Sequence, residues 1–125
     1  MIPKFRAWDK VNERIVEVSE INFWTKVIDT TDTFLAFSNV ELLQSTGLFD
    51  KNGKEIYEGH IVKFKDPYDK RFNAVGVVVL REDKACFGID MTGTTEQFEL
   101  YRITAENYLT VIGNKFEEGY LLEED

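Results

Sequence analysis

The sequence is short of the side chains that most often carry chemistry. It contains one cysteine, Cys86, and one histidine, His60. A lone thiol excludes an internal disulfide. No apolar leader core follows the start, Met-Ile-Pro-Lys-Phe-Arg-Ala-Trp-Asp, so a reducing cytoplasm is the expected compartment. No Cys/His pair has zinc spacing, and no Gly-x-x-x-x-Gly-Lys or Gly-x-Gly-x-x-Gly segment is there to cradle a phosphate, so no metal or cofactor is expected. There are only two prolines and no Gly/Ser-rich stretch, which excludes a long flexible linker. The longest apolar run, Val75–Leu80, is strand-sized, far below the ~18 residues of a membrane-crossing helix. Bases are in deficit as well, with 15 Lys and Arg against 23 Asp and Glu and a net charge of −8.

That deficit is uneven. Residues 1–50 carry five bases against eight acids, residues 51–84 eight against six, and residues 85–125 two against nine, giving −3, +2 and −7. Affinity for nucleic acid comes largely from neutralising phosphates, so broad binding to DNA or RNA is not expected. The middle segment keeps a local basic patch possible, and the plain reading of the rest is a solvated acidic surface that aids solubility.

What the chain does have is apolar and aromatic. Of its 125 residues 43% are apolar, including ten Phe, five Tyr and two Trp. That is enough to fold one domain, or two very small ones, without disulfides or metal. The patterning has period two and is rich in β-branched and aromatic residues, the signature of strands. Strands are predicted over Lys4–Trp8, Arg14–Val18, Glu20–Ile28 and Val40–Ser45. Further strands are predicted at His60–Lys65, Ala74–Arg81, Ala85–Asp90, Glu96–Tyr101 and Tyr108–Ile112, with a helical turn at Thr104–Asn107. Asp29–Thr33 reads as a loop, and Asp50-Lys51-Asn52-Gly53-Lys54 as the strongest turn, because Asp caps it and Gly53 takes positive φ without steric cost.

Five strands with a helical turn before the fifth, over about 55–113, is the layout of an SH3-like small barrel. The expected fold is therefore mainly β: an N-terminal β-rich subdomain over 1–50, packed on an SH3-like barrel over 51–116, with a weakly ordered acidic tail at 117–125.

Candidate chemistry is sparse. His60 follows Gly59 at the start of a strand, where a polar side chain commonly bonds the local backbone. Cys86, between Ala85 and Phe87, reads as an inert core thiol. Asp50, Asn52 and Gly53 do not make a calcium loop, since Gly falls fourth and the twelfth residue is Ile61 where an EF-hand needs Glu. Paired acids such as Glu55 and Glu58 could do acid/base work, but 23 acids produce such pairs by chance. One basic-aromatic mixture exists: Phe64, Tyr68 and Phe72 beside Lys63, Lys65, Lys70 and Arg71. It suits single-stranded nucleic acid or an extended peptide, and a hydrophobically anchored loop is the plainer account.

Three segments carry a family resemblance: Phe5-Arg6-Ala7-Trp8-Asp9, the run from Gln44 to Val62 (Gln-Ser-Thr-Gly-Leu-Phe-Asp-Lys-Asn-Gly-Lys-Glu-Ile-Tyr-Glu-Gly-His-Ile-Val), and Ile112-Gly113-Asn114 followed by Phe116 and Glu117. Together they cover most of the chain in order, and in them it resembles the YopX family of small phage and prophage proteins. Two positions depart from the family pattern. His60 stands where Asp is usual, and Lys115–Gly119 lacks the usual Asn-Pro. The resemblance implies a phage-encoded cytoplasmic protein with an SH3-like C-terminal half, and brings no established activity, cofactor or catalytic residue. Gly47, Gly53, Gly59 and Gly113 read as turn formers, and Trp8, Ile56, Tyr57 and Ile61 as core.

The expected function is that of a non-enzymatic accessory protein that binds a protein partner or itself. The residues set apart for partner binding are Gln44, Thr46, Glu58, Lys63, Lys65, Tyr68 and Arg71. A nucleic-acid-associated protein using segment 63–72 is the second reading. An unrecognised carboxylate enzyme joining Glu58 with Gln44 and Thr46 is the third.

Overall fold

Alternating side chains form antiparallel ladders along nearly the whole chain, as the period-two pattern demands. The computed structural model describes residues 2–65, 73–93 and 97–123. The chain is mostly β and divides into two compact units, Met1–Ser45 and Thr46–Asp125. The division falls inside a strand, not in the Asp50–Lys54 turn.

The first unit contains β1 (Phe5–Asp9), β2 (Arg14–Asn22), β3 (Val27–Thr30), β4 (Phe34–Ala36), a 3₁₀ turn over Phe37–Asn39, and the start of β5 (Val40–Phe49). Strand order is β4-β3-β2-β1-β5, antiparallel throughout. Its buried cluster is Ala7, Val16, Ile28 and Val40, with Val18, Ile21, Leu35, Phe37 and Leu42 packed against it. A one-residue slip of any ladder would expose that whole set, so burial fixes the register.

The predicted strand Glu20–Ile28 is two strands, β2 and β3, joined by a turn over 23–26. Asn22 Oδ1 accepts the N–H groups of Trp24 and Thr25, both at 3.0 Å, and Lys26 closes the turn at φ 58°. A turn built from an Asn cap and a left-handed Lys, around Phe23 and Trp24, has no Gly or Pro to announce it. Left-handed residues other than glycine also close the β1–β2 turn, with Glu13 at φ 53°, and the turn before Cys86, with Ala85 at φ 51°. Strand β4 was also not anticipated, and β5 runs to Phe49, past the predicted end at Ser45.

The second unit takes the rest of β5, then β6 (Glu55–Tyr57), β7 (His60–Lys65), β8 (Asn73–Arg81), β9 (Cys86–Met91) and β10 (Gln97–Glu99). Helix α1 (Arg102–Tyr108) and β11 (Leu109–Asn114) complete it. Strand β6 neighbours β5, and the other five strands form one sheet in the order β10-β9-β8-β7-β11. That order, with a helix before the last strand, is consistent with the SH3-like layout. Its core is Ile56, Val62, Val78, Ile89, Leu100, Ala105, Leu109 and Val111. At roughly 1.5–3 kcal/mol for each fully buried aliphatic side chain, this is the larger apolar investment of the two units.

The start of the acidic tail is held in place. Asn114 Oδ1 accepts the N–H of Phe116 at 3.0 Å and of Glu117 at 2.9 Å, while Glu118 Oε2 accepts the N–H of Asn114. A Cβ on Gly113 would lie 2.3 Å from Glu118 Oε2, so the bare glycine leaves room for that carboxylate. A 3₁₀ turn over Gly119–Leu122 follows. Among the described residues, no helix is long and apolar enough to cross a membrane.

Candidate binding pocket

Most polar side chains in the family segments serve the backbone. Asp50 is buried; its Oδ1 accepts the N–H of Asn52 and of Lys54, and its Oδ2 accepts the N–H of Val111, all at 2.9 Å. It therefore shapes its own turn and pins that turn to β11. Gly53, at φ 82°, supplies the left-handed step the turn needs.

His60 is also buried, and its Nδ1 accepts the N–H of Tyr57 at 3.0 Å across the Glu58-Gly59 turn. An Asp at this position would offer a carboxylate oxygen for the same task. Replacing the family Asp by His therefore preserves an acceptor. Gly59 (φ 83°) in turn donates its N–H to Val78 O and accepts from Lys115 N–H, each at 2.8 Å. The central motif is thereby tied to the Ile-Gly-Asn segment.

Those of the residues set apart for binding that are described lie on β5, at the β6–β7 turn and on β7. Gln44 belongs to the first unit, half-buried on β5 opposite Phe5. Thr46, in the second unit, is buried; its hydroxyl donates to Ile56 O at 2.8 Å and accepts from Leu48 N–H at 3.1 Å. Both roles of that hydroxyl are structural. Glu58 sits half-buried at the β6–β7 turn. Lys63 and Lys65 share the face of β7 opposite Val62 and Phe64. Tyr68 and Arg71, with Lys70 and Phe72, lie outside the described residues. Cys86 is half-buried rather than in the core, because it takes the phase of β9 that faces Arg81.

A concave feature lies elsewhere in the second unit. A pocket of about 300 Å³ is lined by Val62 and Phe64 of β7, Ala74 and Gly76 of β8, Ile89 and Met91 of β9, Phe98 and Glu99 of β10, Leu109 of β11, and Tyr101 with Thr104 around α1. The walls follow from strand alternation, since Gly76 faces Met91 and Ile89 faces Phe98 across the ladders. Gly76 keeps the floor open, because a Cβ there would meet Ile89 Cγ2 at 2.5 Å. The size is at the lower end for ligand sites, enough for one bulky side chain or a small apolar molecule.

Among the described residues, Glu99 is the one charged member of that lining. The Tyr101 hydroxyl donates to Glu99 and holds its carboxyl below the ordinary 4.5, against an opposing push from desolvation, and Lys84 Nζ at 3.5 Å adds to the lowering. The same bond raises the Tyr101 hydroxyl above its ordinary 10.0. The rim thus presents an ionised carboxylate at neutral pH. On the outer face of this sheet, Arg81 Nε and Asp90 Oδ1 are buried and find no hydrogen-bond partner among the described residues. Among the described residues, no cluster of three or more His, Cys, Asp or Glu could hold a metal ion.

Fold and site together define a small β protein of two antiparallel units, with polar motifs that brace the backbone and an apolar pocket in the second unit. The chain belongs to the YopX family: the family model described as YopX protein matches residues 4–123. It is similar in structure to protein EF1440 from Enterococcus faecalis, with a TM-score of 0.74 and 24% identity, covering 98% of this chain and 99% of that one. It is also similar to protein yopX from Bacillus subtilis, with a TM-score of 0.64 and 20% identity over 98% and 97% of the two chains. At such identities the likeness is one of fold. Comparison with curated proteins gives no match.

Sequence reasoning missed this pocket. Its apolar walls read as ordinary core positions, and only their convergence on a gap distinguishes them. The one available signal was the Phe98-Glu99-Leu100-Tyr101 run, which places two aromatics and an acid just before a helix.

Proposed function

We propose that this protein is a non-enzymatic accessory module that works in the bacterial cytoplasm, in the phage or prophage setting its family resemblance implies, and binds a protein partner through the pocket of its second unit. The observation that carries the reading is the apolar pocket of about 300 Å³ bordered by half-exposed Phe98 and by Glu99. A dry-walled concavity with few polar groups is a site for burying an apolar group, with orientation set by the rim. The carboxylate-enzyme alternative is weakened because the Thr46 hydroxyl is committed to the Ile56 and Leu48 backbone.

The test is affinity capture from infected-cell lysate with the wild type, with Ala74→Leu to fill the pocket, and with Phe98→Ala to remove a wall that is 51% exposed and so tolerant of change. The expected result is one partner that the wild type retains and both variants lose while keeping a native spectrum. A partner held equally by all three proteins contradicts the reading.

A further inference from the structure

Among the described residues, strand β10 ends the five-stranded sheet, so one side of it is an edge. Its ladder fixes which groups that edge presents. Leu100 N–H donates to Phe87 O at 3.0 Å, and in the registered antiparallel pair Phe98 lies opposite Ile89 and Glu99 opposite Gly88. Backbone groups alternate in an antiparallel ladder, so Leu100 and Phe98 bond toward β9, while Gln97 and Glu99 turn their N–H and C=O outward. Natural edges are usually blunted by Lys, Pro, a bulge or a covering element. The described β10 residues, Gln97-Phe98-Glu99, carry neither Lys nor Pro, and Phe98 and Glu99 are part of the pocket lining.

We propose that an extended, basic segment of a partner protein adds to the β10 edge and delivers an apolar side chain into the pocket. This deepens the pocket reading above and rests on it. Strand addition supplies backbone hydrogen bonds, and pockets for alternate side chains supply selectivity. The residue placed opposite Phe98 shares its face and reaches the pocket, whereas its neighbours fall beside Gln97 and Glu99. A cationic neighbour opposite Glu99 makes a favourable cross-strand pair. Charge points the same way, because residues 86–114, which supply β9, β10, α1 and β11, hold one base against four acids. The same charge disfavours a second copy of this chain as occupant, since pairing β10 with β10 brings acidic edges together. The expected occupant is therefore basic and alternating, with one bulky apolar residue between lysines or arginines.

The test uses short blocked peptides, Ser-Thr-Lys-Phe-Lys-Thr-Ser and its Glu-for-Lys counterpart, titrated into the full chain and followed by NMR. A third peptide is N-methylated at the residues that would bond the edge. Gln97→Pro removes an outward N–H without removing a bond to β9. The Lys peptide is expected to shift Phe98, Glu99 and the pocket residues. It should weaken about five- to tenfold with Gln97→Pro or N-methylation, the worth of about one hydrogen bond, and the Glu peptide should bind more weakly still. Equal binding by the wild type, Gln97→Pro and the N-methylated peptide overturns edge addition. Equal binding of the Lys and Glu peptides overturns the basic specification. Phenethylamine, a single aromatic amine, separates the two levels. If it binds the pocket while no peptide does, this inference falls and the pocket reading stands, and if neither binds, both fall.

Discussion

Each unit keeps one aspartate buried to hold a turn, and the two act over different reaches. Asp9 in the first unit is fully enclosed and works locally: Oδ1 accepts from Val11 and Asn12 N–H at 3.0 and 3.2 Å, and Oδ2 from Asn12 Nδ2 at 2.9 Å and Arg14 Nε at 3.4 Å. Asp50 in the second unit closes its own turn and then reaches Val111, 61 residues along the chain. One unit is thus braced hairpin by hairpin, and the other is clasped between its beginning and its end. Among the described residues their core clusters differ in the same sense, four buried residues against eight. The second unit, with more core and a long-range clasp, is the one that tolerates an unfilled pocket. The first puts two aromatics on a hairpin tip, where Trp24 is 94% exposed and Phe23 packs edge-on against Phe37 at 6.0 Å.

The comparison breaks most directly at Asp50. Asp50→Ala strands three backbone N–H groups and should cost about 3 kcal/mol, read by urea denaturation. Hydrogen exchange should quicken first at Lys54 and Val111. A loss confined to Asn52 and Lys54 would show that the clasp contributes little. Next comes Gly53→Val. Nothing lies within 4 Å of the added Cβ and φ is 82°, so its cost is backbone strain alone, about 1–2 kcal/mol. An unchanged melting temperature counts against that strain.

Asp9→Asn keeps one acceptor oxygen and should lower the melting temperature less than Asp50→Ala at neutral pH. Its sharper signature is acid sensitivity. Hydrogen bonds, chiefly from the Asn12 side chain, hold the Asp9 carboxyl below its ordinary 3.8. A carboxyl depressed in the folded state stabilises above its unfolded value, and that contribution is lost as pH falls from about 4 through the folded value. The wild type should therefore lose stability below pH 4 more steeply than Asp9→Asn, and parallel acid titrations would remove Asp9 from the account. The smallest effect belongs to Trp24→Ala, expected within about 0.5 kcal/mol of wild type because an exposed side chain away from structural features contributes little.

Much of the fold was legible because period-two patterning and Gly-bearing turns are local signals. Strand β7, His60–Lys65, coincides with its sequence reading, and Gly53 has the positive φ assigned to it. The β2–β3 turn was hidden because Asn22 and Lys26 make it without glycine, while Phe23 and Trp24 mimic a continuing strand. The site was less legible. Asp50 reads from sequence as the cap of its own turn, but its reach to Val111 has no local signal, and only the bond to Ile56 shows that Thr46 braces the backbone as well. Met91, Phe98 and Tyr101 carry no motif at all, and a gap between strands has no local pattern to read.

The most direct test of the account is a methyl-resolved NMR titration of the whole chain with phenethylamine, run beside 3-phenylpropionate as the anionic match. The account predicts saturable shifts centred on Val62, Ile89, Met91 and Leu109, with the amine binding more tightly than the acid. Shifts centred outside the second unit, or none with either compound, would contradict it.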